Sequence, residues 1–255
     1  MLEFLKSPIQ AVQDFYGLTG RALRNIARKP LYIDDIFLQM DTIGFGSLPI
    51  VVLTGFFSGA VMALQLGKEL QTYGQTGRTG QAVSVILVRE LGPVLTAVMV
   101  AGRNSSGIAS EIGSMKVTEQ IDAMRALGTD PVQKLVTPRL VATAIMLPCL
   151  TVIDDFIGIF GGWVIYELVY AMPSLQYWTM AWTALGWSDV VQGLLKPFLY
   201  SFPVSLVGCY YGLGASGGTQ GVGRATTQAV VWASVIIFVL NLFIGKIFVS
   251  GAASL

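Results

Sequence analysis

The sequence predicts an all-α integral membrane protein: an N-terminal interfacial amphipathic helix, about five transmembrane helices, and a short cytoplasmic helix between the second and third. Hydrophobic residues make up 53% of the 255 residues and charged residues only 12%. A chain with so few charged residues has too little polar surface to cover a water-soluble globule. Lipid must therefore be the solvent for much of the chain. A net charge of +1, without a long basic block, gives no support for a nucleic-acid partner.

Five segments are apolar over the roughly 20 residues that a helix needs to cross the hydrocarbon. They are residues 43–66, 81–108, 138–168, 189–213 and 226–249. The first span is preceded by four basic residues, Arg21, Arg24, Arg28 and Lys29. Between the second and third spans lie Lys116, Arg125, Lys134 and Arg139, and the fifth span is preceded by Arg224. Because cytoplasmic segments are enriched in Lys and Arg, we expect a cytoplasmic N-terminus and a C-terminus on the outer side.

The N-terminal segment, residues 1–41, precedes a transmembrane domain over residues 42–255. Within it, residues 4–29 place their apolar side chains mainly on one helical side: Phe4, Leu5, Ile9, Val12, Phe15, Tyr16, Leu23 and Ile26. This pattern predicts a helix that lies in the cytoplasmic membrane interface. A solvated helix that packs on another subunit is the alternative.

Five ionisable residues inside the predicted spans are predicted to converge on one layer in the outer half of the membrane: Arg89, Glu90, Asp154, Asp155 and Lys196. An ionised group at the bilayer centre costs at least about 2.5–3.5 kcal/mol, so each needs a partner or water. A helical rise of about 1.5 Å per residue places Arg89 about 12 Å and Lys196 about 10 Å from the outer ends of their spans. The two aspartates, about 21 Å up the third span, reach the same outer half. Glu90 and Lys196 are therefore close enough in depth to pair.

Two interpretations of this charged layer are open. A buried network of ion pairs would fix the packing of the helices and little else. We favour a water-accessible cavity in the outer half of the membrane, where Arg89 and Lys196 meet an anionic head group. The apolar walls of such a cavity would meet acyl chains.

The segment between the second and third spans contains a short amphipathic helix from about Lys116 to Leu127. Its apolar stripe consists of Met115, Ile121, Met124 and Leu127, and Gly128 and Pro131 end it. A cytoplasmic helix with such a stripe can dock in the groove of a partner. It can equally fold against its own bundle, and the pattern does not decide between the two.

Nothing in the sequence predicts catalysis by this chain. A phosphate-binding loop of the form G-x-x-x-x-G-K-[ST] is missing; the nearest candidate, Gly245–Lys246, is followed by Ile247 inside a span. The chain has no histidine, its two cysteines sit in apolar runs, and no Ser/His/Asp set or metal cluster stands out. We therefore expect no cofactor in this chain, and any ATP hydrolysis must reside in a separate subunit.

Four runs of residues resemble the MlaE/YrbE permeases in order and spacing. They are RELGPVLTAVMVAGR (residues 89–103), SEIGSMKVTEQIDAMRALGTDP (110–131), PRL (138–140) and GVGRATTQAVV (221–231). The resemblance covers nearly the whole chain after the N-terminal helix. Asn104, Ser105 and the doubled aspartate at Asp154–Asp155 depart from the pattern, and the resemblance gives these residues no role.

The resemblance implies the membrane core of an ABC-type lipid transporter. In that family, two permease copies form a homodimer that binds two cytoplasmic ATPase subunits, which use ATP and Mg²⁺, and a periplasmic ring of MCE domains. The expected cargo is phospholipid moving between the inner and outer membranes, which maintains the lipid asymmetry of the outer membrane. The expected location is the bacterial inner membrane, with the C-terminus in the periplasm.

The resemblance also implies roles for particular residues. Arg89, Glu90 and Lys196 match positions near the lipid pocket, and Tyr73 is a further candidate for its lining. The EIGSMKVTEQIDA element matches the coupling helix that contacts the ATPase, and its candidate contact residues are Glu111, Met115, Thr118, Glu119, Gln120 and Asp122.

Two other functions compete with this one. A proton-coupled secondary transporter would use Glu90, Asp154 or Asp155 as its relay and would need no nucleotide. A structural membrane anchor would only hold the MCE ring and would tolerate changes in the pocket. The sequence leaves open the direction of transport, the exact cargo and the role of the two aspartates.

Overall fold

The computed structural model describes the backbone of residues 2–252 and the side chains of residue 10 and residues 12–248. Over these residues the chain is helical and contains no strand, which confirms the all-α prediction. The α-helices are α1 (Leu2–Asn25), α2 (Ile33–Thr72), α3 (Thr79–Ile86), α4 (Gly92–Val100), α5 (Ser106–Val117), α6 (Gln120–Ala126), α7 (Thr137–Tyr170), α8 (Ser174–Ala184), α9 (Trp187–Leu213) and α10 (Gly218–Ala252). Three π-helical segments interrupt them: Leu87–Leu91, Ala101–Ser105 and Val132–Val136.

Five helical stretches of the described chain are long and apolar enough to cross a membrane, and each coincides with a predicted span. They are Ile33–Thr72, Thr76–Val117, Val132–Tyr170, Trp187–Leu213 and Gly218–Phe248. Most are longer than predicted, because polar flanking residues end an apolar window without ending a helix. α2, for example, continues until the turn at Gly74, whose positive φ of 66° ends it as a glycine commonly does.

The chain divides into two compact units. Unit 1 comprises Met1–Ile43, Val100–Ala144 and Ser201–Ile236, and unit 2 comprises Gly44–Met99, Ile145–Tyr200 and Ile237–Leu255.

The core of unit 1 includes part of the N-terminal helix. Leu18 and Ala22 of α1 are buried in one cluster with Ile112 and Ile121, and Phe15 packs against it. Other residues of the predicted apolar side, Val12, Tyr16, Leu23 and Ile26, are exposed, and the side chains of Phe4, Leu5 and Ile9 lie outside the described residues. The helix therefore has both a face packed on its own unit and an exposed apolar face, and its place at the membrane interface stays a prediction.

In unit 2, α2 and α7 approach closely at glycines, among them Gly55 and Gly59 of α2. A Cβ atom at Gly59 would overlap the backbone of Gly158 on α7. At Gly55 an added Cβ would lie 2.7 Å from Asp154 Oδ1, so this glycine makes room for a buried carboxyl group. Small residues at such crossings let two backbones meet.

A helix that the sequence did not predict, α8, completes unit 2. It occupies the segment between the third and fourth predicted spans, at residues Ser174–Ala184. Ser84 of α3 donates a hydrogen bond to the carbonyl of Ala181 at 3.1 Å, and the buried Tyr177 hydroxyl donates to the carbonyl of Ile159 at 3.0 Å. Because α8 lies beside α3, the first turn of α9 is next to the π segment that follows α3.

Candidate functional site

The π-helical segment Leu87–Leu91 carries two of the predicted site residues, Arg89 and Glu90. In an α-helix, the N–H group of residue 93 would donate a hydrogen bond to the carbonyl of Arg89, four residues earlier. Residue 93 is a proline and has no N–H group, so it cannot form this bond. Lys196 Nζ of α9 donates to this carbonyl instead, at 2.6 Å. Single π-helical turns inside α-helices often mark functional sites.

Lys196 also pairs with Glu90, as their similar depth predicted. The distance from Lys196 Nζ to Glu90 Oε1 is 2.7 Å, and the two side chains are 0% and 45% exposed. The ammonium group is therefore enclosed and held by two oxygen acceptors, whereas the carboxylate is open on one side. Lys196 positions its neighbours, and Glu90 is the member of this pair that a ligand can reach.

Arg89 forms a second ion pair, with Asp189 in the first turn of α9. Arg89 Nε lies 2.5 Å from Asp189 Oδ1, and the two side chains are 46% and 2% exposed. The other carboxylate oxygen of Asp189 accepts a hydrogen bond from the backbone N–H of Gly186 at 2.9 Å. Since the pair uses Nε, the terminal nitrogens of the half-exposed guanidinium remain available to a ligand.

Asp189 was not recognised from the sequence as a site residue. Depth along straight spans placed it at the outer end of the fourth span, about 12 Å from the level of Arg89. The unpredicted helix α8 occupies the space beside α3, and α9 therefore starts beside Arg89. The sequence did contain a signal for this pair. Asp189 is an acidic residue at the start of an apolar span, and Arg89 in another span had no predicted partner.

Arg89, Glu90, Asp189 and Lys196 together are called the charged cluster here, and helix α10 lies next to its member Glu90. A Cβ atom added at Gly245 would lie 3.7 Å from Glu90 Oε1. The buried Tyr200 hydroxyl of α9 donates a hydrogen bond to Asn241 Oδ1 of α10 at 2.7 Å. At Gly245, α10 therefore brings a backbone without a side chain next to Glu90. It also contributes the polar residue Asn241, which was not predicted from the sequence.

Asp154 and Asp155 stay separate from the charged cluster. Both are buried in α7, and neither forms a salt bridge with any residue that the structure describes. Thr96 faces Asp154. Among the described residues, however, neither oxygen of Asp154 has a hydrogen-bond partner, and the same is true of Asp155 Oδ1. The five ionisable residues that were predicted to share one layer therefore fall into two groups. Arg89, Glu90 and Lys196 form ion pairs, whereas Asp154 and Asp155 are buried without a salt bridge to any described residue.

Tyr73, the fourth predicted residue of the lipid pocket, lies just after the end of α2 and is largely exposed. Within the described part of the chain, no hydrogen bond or ring contact joins it to the charged cluster. Its role in a lipid pocket stays a prediction.

The predicted cytoplasmic helix is divided in the structure. α5 continues the second span to Val117, and α6 begins at Gln120, because Glu119 adopts the left-handed conformation with φ of 61°. The apolar stripe faces the core of unit 1: Ile121 is fully buried, and Met115 and Met124 pack beside it. Only Leu127 of the stripe is fully exposed, so α6 folds against its own unit through this side.

The polar side of this segment carries the remaining predicted residues. Glu119, Gln120 and Asp122 are exposed, and Asp122 accepts from Lys116 Nζ and from Arg125 Nη1, each at 2.9 Å. The hydrogen bond from Lys116 lowers the pKa of Asp122. These bonds keep α6 in one orientation after the break at Glu119.

Two further predicted residues of this segment have internal partners. Glu111 Oε2 lies 2.7 Å from Nη2 of the buried Arg139, whose Nη1 donates to the Leu135 carbonyl. Thr118 Oγ1 donates to the Ser114 carbonyl at 2.8 Å. The geometry thus gives Glu111 and Thr118 structural contacts, and it leaves Glu119, Gln120 and Asp122 on the surface.

Comparison with known proteins identifies the family. The family model described as Permease MlaE matches residues 36–247. A probable ABC transporter permease protein of Rickettsia felis is 43% identical over 239 residues, which cover 94% of this chain and 92% of the relative. The intermembrane phospholipid transport system permease protein MlaE of Haemophilus influenzae is 31% identical over 255 residues, with 97% and 98% covered. The chloroplastic protein TRIGALACTOSYLDIACYLGLYCEROL 1 of Arabidopsis thaliana is 32% identical over 235 residues, with 92% and 67% covered.

These matches agree with the architecture. The matched residues include nearly all of the five described stretches that can cross a membrane, together with the charged cluster and α6. The chain is a multi-pass membrane transport subunit and not a catalytic enzyme. It belongs to the MlaE permease family.

Proposed function

We propose that this chain is the permease subunit of an ATP-driven transporter that moves phospholipid between the inner and outer membranes of a bacterium and so maintains outer-membrane lipid asymmetry. The observation that carries the proposal is the half-exposed Arg89 guanidinium, which the buried Asp189 holds inside a membrane-spanning stretch. The name of the Haemophilus influenzae relative, an intermembrane phospholipid transport permease, supports this choice of cargo.

The charged cluster complements a phospholipid head group. The terminal nitrogens of Arg89 match the oxygens of a phosphate, which guanidinium groups bind in a bidentate manner. Glu90, half-exposed beside it, offers a carboxylate to the ammonium group of a zwitterionic head group. Asp189 and Lys196 act as positioning residues, because one orients the guanidinium and the other holds both Glu90 and the backbone of the π segment.

Helix α6 is the proposed contact with the ATPase, which binds ATP and Mg²⁺. Its buried side, anchored by Ile121, fixes the helix to unit 1, and its exposed side presents Glu119, Gln120 and Asp122 to a partner. A push on a helix anchored in this way moves the unit rather than the helix alone. The ion pair of Glu111 with the buried Arg139 strengthens the same connection.

The assembly that we propose contains two permease copies, two cytoplasmic ATPase subunits and a periplasmic MCE-domain ring. The distribution of the basic segments supports a location in the bacterial inner membrane with a cytoplasmic N-terminus and a periplasmic C-terminus. ATP binding at the partner changes access to Arg89, in the manner of a two-state equilibrium biased by a ligand.

The test is purification of the tagged chain from its native membrane in mild detergent, followed by mass spectrometry of the proteins and lipids that accompany it. The proposal predicts stoichiometric ATPase and MCE subunits with bound phospholipid. Arg89→Gln should reduce bound phospholipid while the partners remain, and Arg78→Gln, at an exposed arginine of the same unit, should not. A homo-oligomer without either partner would overturn the proposal.

A proton-coupled secondary transporter is the second candidate, and the unpaired Asp154 and Asp155 favour it. Buried carboxyl groups in membrane helices are the usual components of proton relays. Such a carrier would transport in response to a pH gradient without a nucleotide. A structural anchor for the MCE ring, the third reading, would retain full lipid handling in Arg89→Gln.

A further inference from the structure

The charged cluster contains two positive and two negative side chains, and its hydrogen-bonding capacity is only partly used. Both oxygens of Asp189 have donors, Arg89 Nε at 2.5 Å and the Gly186 N–H at 2.9 Å. The fully buried ammonium of Lys196 lies between Glu90 Oε1 and the Arg89 carbonyl. Within the described chain, two positions of the cluster remain open: the terminal nitrogens of Arg89, which donate, and Glu90 Oε2, which accepts.

Gly245 of α10 leaves free space beside the Glu90 carboxylate. A Cβ atom at this glycine would lie 3.7 Å from Glu90 Oε1, and no other described atom from outside α10 lies within 4 Å of that position. The Glu90 side chain is 45% exposed, so a group from outside the chain can reach the carboxylate. A side chain larger than a methyl group at position 245 would project into this space.

The open positions of the cluster complement a zwitterion with N–H donors. A phosphate that binds the terminal nitrogens of Arg89 leaves Glu90 Oε2 to be filled by a donor. A ligand with a net negative charge would leave this balanced cluster with an excess charge inside a membrane-spanning stretch, which is unfavourable. A cationic N–H group binds a carboxylate about twice as strongly as a neutral donor such as a hydroxyl group. A quaternary ammonium carries the charge but has no N–H, so it cannot donate to Glu90.

We propose that the charged cluster selects phospholipids whose head group carries a primary ammonium, and that Gly245 is the specificity-determining residue that admits this ammonium to Glu90. The inference rests on the proposed function, because it requires that a phospholipid reaches Arg89. It names the substrate class within that function: ethanolamine head groups bind most tightly, and choline and glycerol head groups bind more weakly.

Competition between head groups on the native complex tests the proposal. The complex is purified from its native membrane in mild detergent and exchanged into an equimolar mixture of phosphatidylethanolamine, phosphatidylcholine and phosphatidylglycerol with identical acyl chains. Mass spectrometry then measures the lipids that remain bound after washing. We expect phosphatidylethanolamine to be retained about tenfold over either competitor, as the loss of one charge-assisted hydrogen bond implies.

The outcomes separate this inference from the proposed function. Equal retention of the three lipids, or a preference for either competitor, would overturn the selectivity but leave a phospholipid transporter. Retention of no phospholipid at all would contradict the selectivity and the proposed function together.

Glu90→Gln tests the acceptor. The amide keeps an oxygen for Lys196 but places an NH₂ group where the open oxygen was. The preference for phosphatidylethanolamine over phosphatidylcholine should therefore disappear, while phospholipid still binds through Arg89. The matched control is Glu69→Gln, at an exposed glutamate of the same unit, which should keep the preference. A preference that persists in Glu90→Gln, or that is lost in Glu69→Gln, would contradict the assignment.

Gly245→Val tests the space beside Glu90 and alters none of the charged residues, so it also covers the case in which Glu90→Gln fails to fold. Its methyl groups occupy the space, so retention of phosphatidylethanolamine should fall to that of phosphatidylcholine. The control Gly223→Val adds the same side chain to the same helix, at a glycine whose Cβ position has no atom within 4 Å, and should leave the preference unchanged. An undiminished preference in Gly245→Val would show that the ammonium does not enter beside Gly245.

Discussion

Loss of Glu90 should destabilise the chain more than loss of Lys196, although the two residues form one ion pair. Glu90→Leu leaves the ammonium of Lys196 fully buried with the Arg89 carbonyl as its remaining acceptor. Removing one partner of a buried pair in this way costs about 3–5 kcal/mol. Lys196→Met leaves a carboxylate that is 45% exposed and can be hydrated, together with an unpaired carbonyl at Arg89, at a cost of about 1–3 kcal/mol.

The double variant Glu90→Leu/Lys196→Met removes both charges and should be more stable than Glu90→Leu alone. The assay is thermal unfolding in mild detergent, followed by intrinsic fluorescence, for the unaltered chain, both single variants and the double variant. A double-mutant cycle then isolates the coupling between the two residues. Arg78→Gln, at an exposed arginine of the same unit, serves as the control for a simple change of charge.

The smaller cost of Lys196→Met requires that water reaches the Glu90 carboxylate. If Lys196→Met is as destabilising as Glu90→Leu, the carboxylate faces hydrocarbon and the cavity that we propose around the charged cluster does not exist. Additive effects in the double variant would show that the 2.7 Å contact carries no coupling energy.

Three further predictions concern the segment that includes α6. A left-handed backbone costs about 1 kcal/mol or more for a residue with a side chain, so Glu119→Gly should raise the unfolding temperature. The same variant should weaken capture of the ATPase, because it removes a proposed contact residue. Unchanged capture would show that Glu119 is not part of the contact. Glu111→Ala should lower the unfolding temperature although Glu111 is exposed, because it leaves the buried Arg139 without its carboxylate; an effect no larger than that of Arg78→Gln would contradict this. Because the pKa of Asp122 is lowered by Lys116 in the folded chain, its contribution to stability is present above the ordinary value of 3.8 and is lost as the pH falls below it. The difference in unfolding temperature between the unaltered chain and Asp122→Asn should thus be constant above about pH 5 and disappear in acid; a difference that changes between pH 6 and 8 would refute the assignment.

The sequence was sufficient for the spans and for one ion pair. Hydropathy averaged over about 20 residues is a strong signal, because the hydrocarbon excludes polar side chains. The pairing of Glu90 with Lys196 followed from depth alone, since the helical rise is constant.

Depth was not sufficient where direction around a helix mattered. Asp155 Oδ1 lies against Gly92, beside the π segment that carries Arg89 and Glu90, but neither Asp154 nor Asp155 forms a salt bridge with a residue that the structure describes. Depth alone does not decide such contacts, because side chains on neighbouring residues point about 100° apart. Asp189 was missed because α8 could not be distinguished from a loop by charge. The break at Glu119 had no signal, because glutamate rarely adopts a positive φ.

We propose above all that ATP hydrolysis by a partner drives phospholipid past Arg89. It is tested most directly by the transfer of labelled phospholipid from proteoliposomes that contain the complex purified from native membranes, with and without ATP, for the unaltered chain and for Arg89→Gln. The account predicts transfer that requires ATP and that falls at least about tenfold in Arg89→Gln, as expected when a charge-assisted contact of about 1.5–3 kcal/mol is lost. Transfer that proceeds without ATP and responds to a pH gradient, or full transfer by Arg89→Gln at normal abundance, would contradict it.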